Sequence, residues 1–244
     1  MSRPFLIIQL RPEDVTAENE LQAICQYGQL AEQDYVRIRA EQCGLPEINL
    51  TDYSGIIVGG SPFDVTTPEA EKSAIQIQLD QQFNTLFDQI MAQDFPFLGC
   101  CSGNGLLGNY LNTPMSREFG ESVGCKPVTM TEAGRSDPLL ETLPETIHVL
   151  LGHKEACDEV PEGATLLLAG TDCPIQMFRV KNNIYATQFH PEGDEDGFAL
   201  RIRVYQHHGY FRPEEAEQLI TQLAGFDISH AQSILRRFVM RYQA

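Results

Sequence analysis

Two cysteines stand side by side in "FLGCCSGNG" (97–105), and only one has the neighbours that a catalytic thiol needs. A nucleophile at the tip of a strand-to-helix elbow sits on a strained backbone. Side chains two residues before and two after it would collide across the turn, so glycine is expected at both places. Cys101 is flanked in this way by Gly99 and Gly103, whereas Cys100 is flanked by Leu98 and Ser102. The spacing selects Cys101 and makes Cys100 a buried, inert core thiol. A helix starting near Ser102 would turn its positive end toward Cys101, which predicts a lowered thiol pKa and a stabilised thiolate. Glycines between a strand and a helix can also be nothing more than a turn, so the reading depends on what else the chain supplies.

A thiol nucleophile needs a base, and "YATQFHPEGD" (185–194) offers one. The apolar run reads as a strand ending at His190, stopped by Pro191 and followed by Glu192. The histidine would take the thiol proton and the carboxylate would fix its tautomer. Alone, His-Pro-Glu is more often a surface turn than a catalytic pair. The third piece is "IIVGGSPFDV" (56–65), an apolar strand opening into Gly59-Gly60. Thiolate attack on a carbonyl builds charge on oxygen, and two backbone N–H groups must meet it, each worth roughly 3–4 kcal/mol. The amides of Gly60 and Ser102 are the expected pair, though Gly-Gly alone also fits a plain tight turn.

These three pieces must hang on a common scaffold. "PFLIIQL" (4–10) reads as a buried strand, 17–30 as a helix and "YVRIRA" as a second strand. The segment 68–94 reads as a long helix with a stripe through Ile75, Leu79, Phe83 and Phe87, and with Pro68 in its first turn. Strand and helix in alternation predict an α/β fold, a mostly parallel central sheet covered by helices on both faces. Chemistry in such sheets gathers at the C-terminal ends of strands, where both glycine turns fall. From about 117 to 190 the rhythm changes to short strands and hairpins, and the tail is helical. One domain over 1–195 with a helical extension over 196–244, packed on the same domain, is the simplest division.

Bulk properties narrow the partners. The chain has 244 residues and a formal charge of −17, which disfavours nucleic acid and anionic membrane surfaces. No apolar stretch is long enough to span a bilayer. Seven cysteines without paired spacing argue against a disulfide framework and for a reducing, cytoplasmic setting. No zinc pattern appears among them or the six histidines, so neither a metal nor another cofactor is expected.

In this order and at these separations, the motifs resemble those of class I (triad) glutamine amidotransferases. The likeness is strongest to stand-alone members similar to the glutaminase part of GMP synthetase. It covers roughly residues 4 to 195, through "GIIVGGSP", "PFLGCCSGNGLLG", "SREFGESVGCKPVTMTE", "DPLLETLP", "LLGHKEACDEVPEGATLLLAGTDCPIQ" and "QFHPEGD". It implies a flavodoxin-like three-layer sandwich. Cys101 would attack the side-chain amide of glutamine to give a γ-glutamyl thioester, with His190 shuttling protons and Glu192 orienting it. Gly60 and Ser102 would donate to the oxyanion, and Gly59, Gly105 and Gln188 would lie on the substrate side.

The resemblance fails at one letter: the family usually carries Gln four residues after the nucleophile, and Gly105 stands there. A site built around a buried polar contact discriminates strongly through it, so another γ-glutamyl small molecule competes with glutamine as substrate. The stretch beyond Glu192 is too short for a synthetase domain. Either ammonia passes to a synthetase on another chain, or the protein is a stand-alone γ-glutamyl hydrolase; a non-catalytic scaffold is the third reading. His153 is expected in a structural or substrate-side role, and His207 and His208 at the surface or an interface. Asp194 is expected as an exposed turn acid. The apolar positions of the C-terminal helices fit either a cover for the domain or a homodimer contact.

Overall fold

The computed structural model describes residues 3–243. In chain order the elements are β1 (Phe5–Gln9), α1 (Asp14–Gly28), β2 (Tyr35–Arg39), α2 (Ala40–Cys43), β3 (Gly55–Val58), α3 (Ala74–Gln93), β4 (Phe97–Cys100) and α4 (Ser102–Tyr110). There follow β5 (Met115–Ser116), β6 (Glu121–Met130), α5 (Glu132–Arg135), β7 (Thr146–His153), β8 (Ala156–Cys157), β9 (Ala164–Ala169), β10 (Met177–Val180) and β11 (Ile184–Thr187). The chain closes with α6 (Glu195–Tyr205), α7 (Ala216–Leu223) and α8 (Ser229–Tyr242).

The main sheet runs in the order β2-β1-β3-β4-β11-β10-β9-β6-β7. From β2 to β11 every neighbour is parallel, and from β11 to β7 every pairing is antiparallel. Helices cover both faces, giving the α/β flavodoxin-like architecture. Successive strand residues point to opposite faces, and this alternation sorts the core. Phe5, Ile7, Ile57 and Leu98 pack with Leu21 and Ile24 of α1 and with Ile234, Leu235 and Phe238 of α8. Leu6, Ile8, Ile56, Val58 and Phe97 pack on the other face with Phe83, Phe87 and Ile90 of α3. Cys100 falls in the first layer, fully buried, as the steric argument required.

Two boundaries differ from expectation. Helix α3 starts only at Ala74, capped by the Ser73 hydroxyl, which accepts from the Gln76 amide. Pro68 instead precedes a short 3₁₀ turn over Glu69–Glu71, so the long segment is split by local capping. Strand β11 ends at Thr187, not at His190. The chain then leaves the sheet edge, with the Thr187 hydroxyl donating to the Phe189 carbonyl and the His190 amide donating to Leu150.

Candidate active site

The elbow is formed by β4 running into α4. Cys101 sits between them at φ 54° and ψ −93°, a backbone conformation that costs a non-glycine residue about 1–3 kcal/mol and persists only where its surroundings enforce it. Its amide donates to Thr187 of β11, and its carbonyl accepts from Asn104 and Gly105. A Cβ on Gly99 would lie 2.6 Å from the Gly103 carbonyl carbon, so the close approach across the turn is the reason for glycine. The strain lifts the Cys101 side chain out of the layer that holds Cys100, to a place where it is half-buried and lines two adjoining pockets.

His190 and Glu192 meet as a buried pair, with Nδ1 2.7 Å from Oε1. A carboxylate can only accept, so Nδ1 carries the hydrogen and Nε2 is left as the basic nitrogen. Burial lowers the His190 pKa below its ordinary 6.5 and outweighs the pull of Glu192 in the opposite direction. Burial also opposes charge on Glu192. His190, the hydrogen bond to it and Arg201 outweigh that penalty and hold the carboxyl below the usual carboxylate range. Arg201 reaches the same Oε1 from α6, with Nη2 at 3.2 Å. The pair thus favours a neutral imidazole beside an ionised carboxylate, the form a general base would need.

The candidate nucleophile differs from expectation in its resting state. Burial pushes the Cys101 thiol up to about 12; Arg11 and Arg201 pull it down, while Glu192 and Glu155 add to the rise. Burial thus favours a thiol over a ready thiolate at this place. Deprotonation must then accompany attack.

The Gly59-Gly60 turn also serves a different purpose. The Gly60 amide donates to Glu20 Oε1 at 3.1 Å, so in the resting site a buried carboxylate holds it, whereas the oxyanion role expected of it needs that contact exchanged. Glu20 is fully buried, and the same carboxylate pairs with Arg11 at 2.7 Å and accepts from Gln9 at 3.0 Å. A Cβ on Gly59 would strike Glu20 at 2.4 Å, and one on Gly60 would strike Arg11 at 2.5 Å and His190 Cε1 at 2.7 Å. The glycines thus make room for a buried ion pair and for the base. Gly59 lines neither pocket. The next amide, that of Ser61, donates to Ser102 Oγ at 2.7 Å beside Cys101. The Ser102 amide, in the first turn of α4, has no intrahelical partner.

The first pocket has Cys101, Ser102, Gly105, Gln188 and Glu155 in its lining. Glu155 is tied down by the amides of Val65 and Thr66 and by the Thr66 hydroxyl, which fixes the loop after β3 as one wall. A Cβ on Gly105 would meet only ordinary contacts at 3.7–3.9 Å with Glu155, Met115 and Val65. A side chain would fit there, and glycine leaves that space to the pocket. The second pocket holds Cys101 and Ser61 together with His190, Arg201, Val123, Phe198, Ile202 and Phe211. Tyr210 borders both.

Contacts in the fold place the remaining candidates. His153 is buried and lines the first pocket, with Nδ1 on the Glu155 carbonyl and Nε2 3.0 Å from Glu121, which also accepts from Gln176. Cys173 completes a cluster with ligand-type atoms within 4.8 Å of one another. Both ring nitrogens already have protein partners there. Asp194 caps α6 through the Gly197 amide at 2.7 Å and accepts from Tyr27. His207 and His208 lie exposed just beyond α6.

Arg11, Glu20, Arg201 and Tyr210 escaped the sequence reading. Arg201 left a signal: it shares a helical face with Phe198, Ile202 and Tyr205, and a charge on an apolar face needs a buried partner.

The profile of the glutamine amidotransferase class-I family matches residues 17–198. The chain belongs to the class I glutamine amidotransferases. Among curated relatives of this amidotransferase, a glutamine-hydrolysing GMP synthase of Caldicellulosiruptor saccharolyticus is 28% identical over 196 residues, covering 72% of this chain and 33% of the relative. The chain spans about a third of the length of the curated relatives it matches. Among solved structures, a glutamine amidotransferase from Thermotoga maritima aligns with a TM-score of 0.76 over 98% of both chains, at 18% identity. One from Methylobacillus flagellatus aligns at 0.71 over the whole of this chain and 96% of its own, at 16% identity. At those identities the likeness establishes the amidotransferase fold.

Proposed function

We propose that this amidotransferase hydrolyses the side-chain amide of glutamine, or of a related γ-glutamyl compound, through a thioester on Cys101. The observation that carries the reading is a strained Cys101 facing the same pocket as a His190 whose free nitrogen is set by Glu192. Sγ adds to the amide carbon while its proton moves to His190 Nε2. His190 passes that proton to the leaving nitrogen, the C–N bond breaks, and water then releases the acid and restores the thiol. The oxyanion is met by the Ser102 amide and the Ser61 amide, the substrate oxygen replacing Ser102 Oγ as the acceptor of the latter.

For glutamine the product nitrogen is ammonia, and an acceptor on another chain would use it. The match to GMP synthases covers only a third of their length, so the acceptor reaction is not carried over with it. The free state of all seven cysteines and a chain without a helix apolar enough to cross a membrane, among the described residues, support a reducing, cytoplasmic setting. A stand-alone γ-glutamyl hydrolase is the second reading, favoured by the open space at Gly105.

Glutamate release from glutamine and from γ-glutamyl amides, with a glutamine-like electrophile mapped by mass spectrometry, tests the reading. We expect the label on Cys101 and no turnover in Cys101→Ala. Label on Cys100, or unchanged turnover in Cys101→Ala, would overturn it. Gly105→Gln should raise kcat/KM for glutamine if the missing side chain is what weakens its binding.

A further inference from the structure

Cys101 and Ser61 line two pockets that extend in different directions, with Tyr210 bordering both. One runs past Gly105, Gln188 and Glu155 and suits the γ-glutamyl group. The other lies on the side of His190, where the leaving nitrogen must receive its proton. Ammonia needs no walls there, yet this side is lined by Val123, Phe198, Ile202 and Phe211. Arg201 lines it as well. It is 6% exposed, and only Nη2 reaches Glu192. Its guanidinium lies over the Phe198 ring, and its Nε and Nη1 are shielded from solvent with no hydrogen-bond acceptor in the protein. Buried donors of a charged group left without acceptors are costly, and in a pocket they mark where an anionic acceptor binds.

We propose that the pocket on the His190 side binds the leaving amine, and that this amine is an amino acid with an apolar or aromatic side chain. Its carboxylate would accept from Arg201, and its side chain would lie against Phe198, Ile202, Val123 and Phe211. The substrate class is then a γ-glutamyl dipeptide. This rests on the Cys101 thioester reading above and names its leaving group. The Sγ–C bond forms and the C–N bond to the dipeptide's second residue breaks. The thiol proton travels by His190 to that nitrogen, and the amino acid leaves as a free amine. Water then hydrolyses the thioester to glutamate. Half of this pocket's lining comes from α6 and the segment after it, so the C-terminal part of the chain would itself help recognise the second residue.

The test compares kcat/KM of the full chain for γ-glutamyl-phenylalanine, for γ-glutamyl-phenethylamide, which lacks the carboxylate, and for glutamine. We expect the dipeptide to exceed the phenethylamide by about tenfold or more, in line with one charge-assisted contact, and to exceed glutamine. In Arg201→Gln the ratio of dipeptide to phenethylamide should fall toward one. Should that variant not fold, Val123→Phe supplies the second reading, since narrowing the pocket should lower the ratio of dipeptide to glutamine at least tenfold. Equal rates for dipeptide and phenethylamide, or a preference for glutamine while an electrophile still labels Cys101, would overturn this inference and leave the thioester standing. No turnover of any of the three, with Cys101 unlabelled, would overturn both.

Discussion

The two halves of the sheet contribute to the site in different ways. In the parallel half, β3, β4 and β11 deliver their residues by backbone geometry: the strand ends place the Gly-Gly turn, Cys101 and the segment leading to His190 side by side. In the antiparallel half and the C-terminal helices, the contribution is environment. Arg201 of α6 clamps Glu192, and Tyr210, Phe211 and Val123 close the pocket walls. In the proposed mechanism the first half supplies the reacting atoms, and the second sets their protonation and what surrounds them. A nucleophile can be positioned by a few torsions, whereas a pKa answers to every charge and every layer of burial around it.

The sharpest break of this division is within the parallel half. Cys101→Ala should abolish glutamate release, a loss of at least about 10⁴-fold when one member of a cooperating set is removed. Cys100→Ala, one residue away, should keep kcat within about twofold and cost only on the order of 1 kcal/mol of stability. Equal losses in both would dissolve the distinction.

Where the halves meet, Glu192→Gln should lower kcat by about 10³–10⁴-fold, since an amide no longer enforces the Nδ1–H tautomer or supports imidazolium. It also leaves Arg201 buried without its counter-charge, so the melting temperature should fall as well, by the equivalent of about 3–5 kcal/mol. A drop in kcat below tenfold would mean that His190 is oriented by something other than Glu192.

The pH profile reads the environmental contribution directly. His190 must be neutral to take the thiol proton, and burial lowers its pKa. Activity should therefore hold as pH falls past 6.5 and be lost only below it, giving an acid limb of kcat/KM under the ordinary histidine value. A limb at pH 7 or above would contradict the burial argument. The same lowered pKa removes stability as pH drops below 6.5, because unfolding then lets the histidine charge.

The smallest effect on chemistry is expected from the far layer. Phe238 of α8 is fully buried against Phe5 and Tyr185. Phe238→Ala should cost about 3–5 kcal/mol in denaturant unfolding and leave kcat unchanged well below the melting temperature. A matching loss of kcat would show that α8 reaches the site.

Much of this was legible in one dimension because it depends on local sterics. Glycines at 99 and 103 single out Cys101, apolar runs followed by glycine mark strand ends, and His190 with Glu192 two residues on can pair within one turn. The departures from expectation share a cause in long-range packing. The Gly60 amide was assigned to the oxyanion, but Glu20, forty positions away, accepts from it. The thiolate was inferred from a helix terminus alone, without the burial that drives the thiol up to about 12.

What the sequence by itself determined is the α/β rhythm, the glycine-flanked elbow and the family, each set by residues close in the chain or by their order along it. What only the tertiary structure decided is which acceptors the turn amides meet, that His190 and Glu192 are buried together, and that Arg201 and Phe211 line the same pocket as Cys101. Those follow from desolvation and from contacts between distant segments, and no spacing along the chain encodes a distance across the fold.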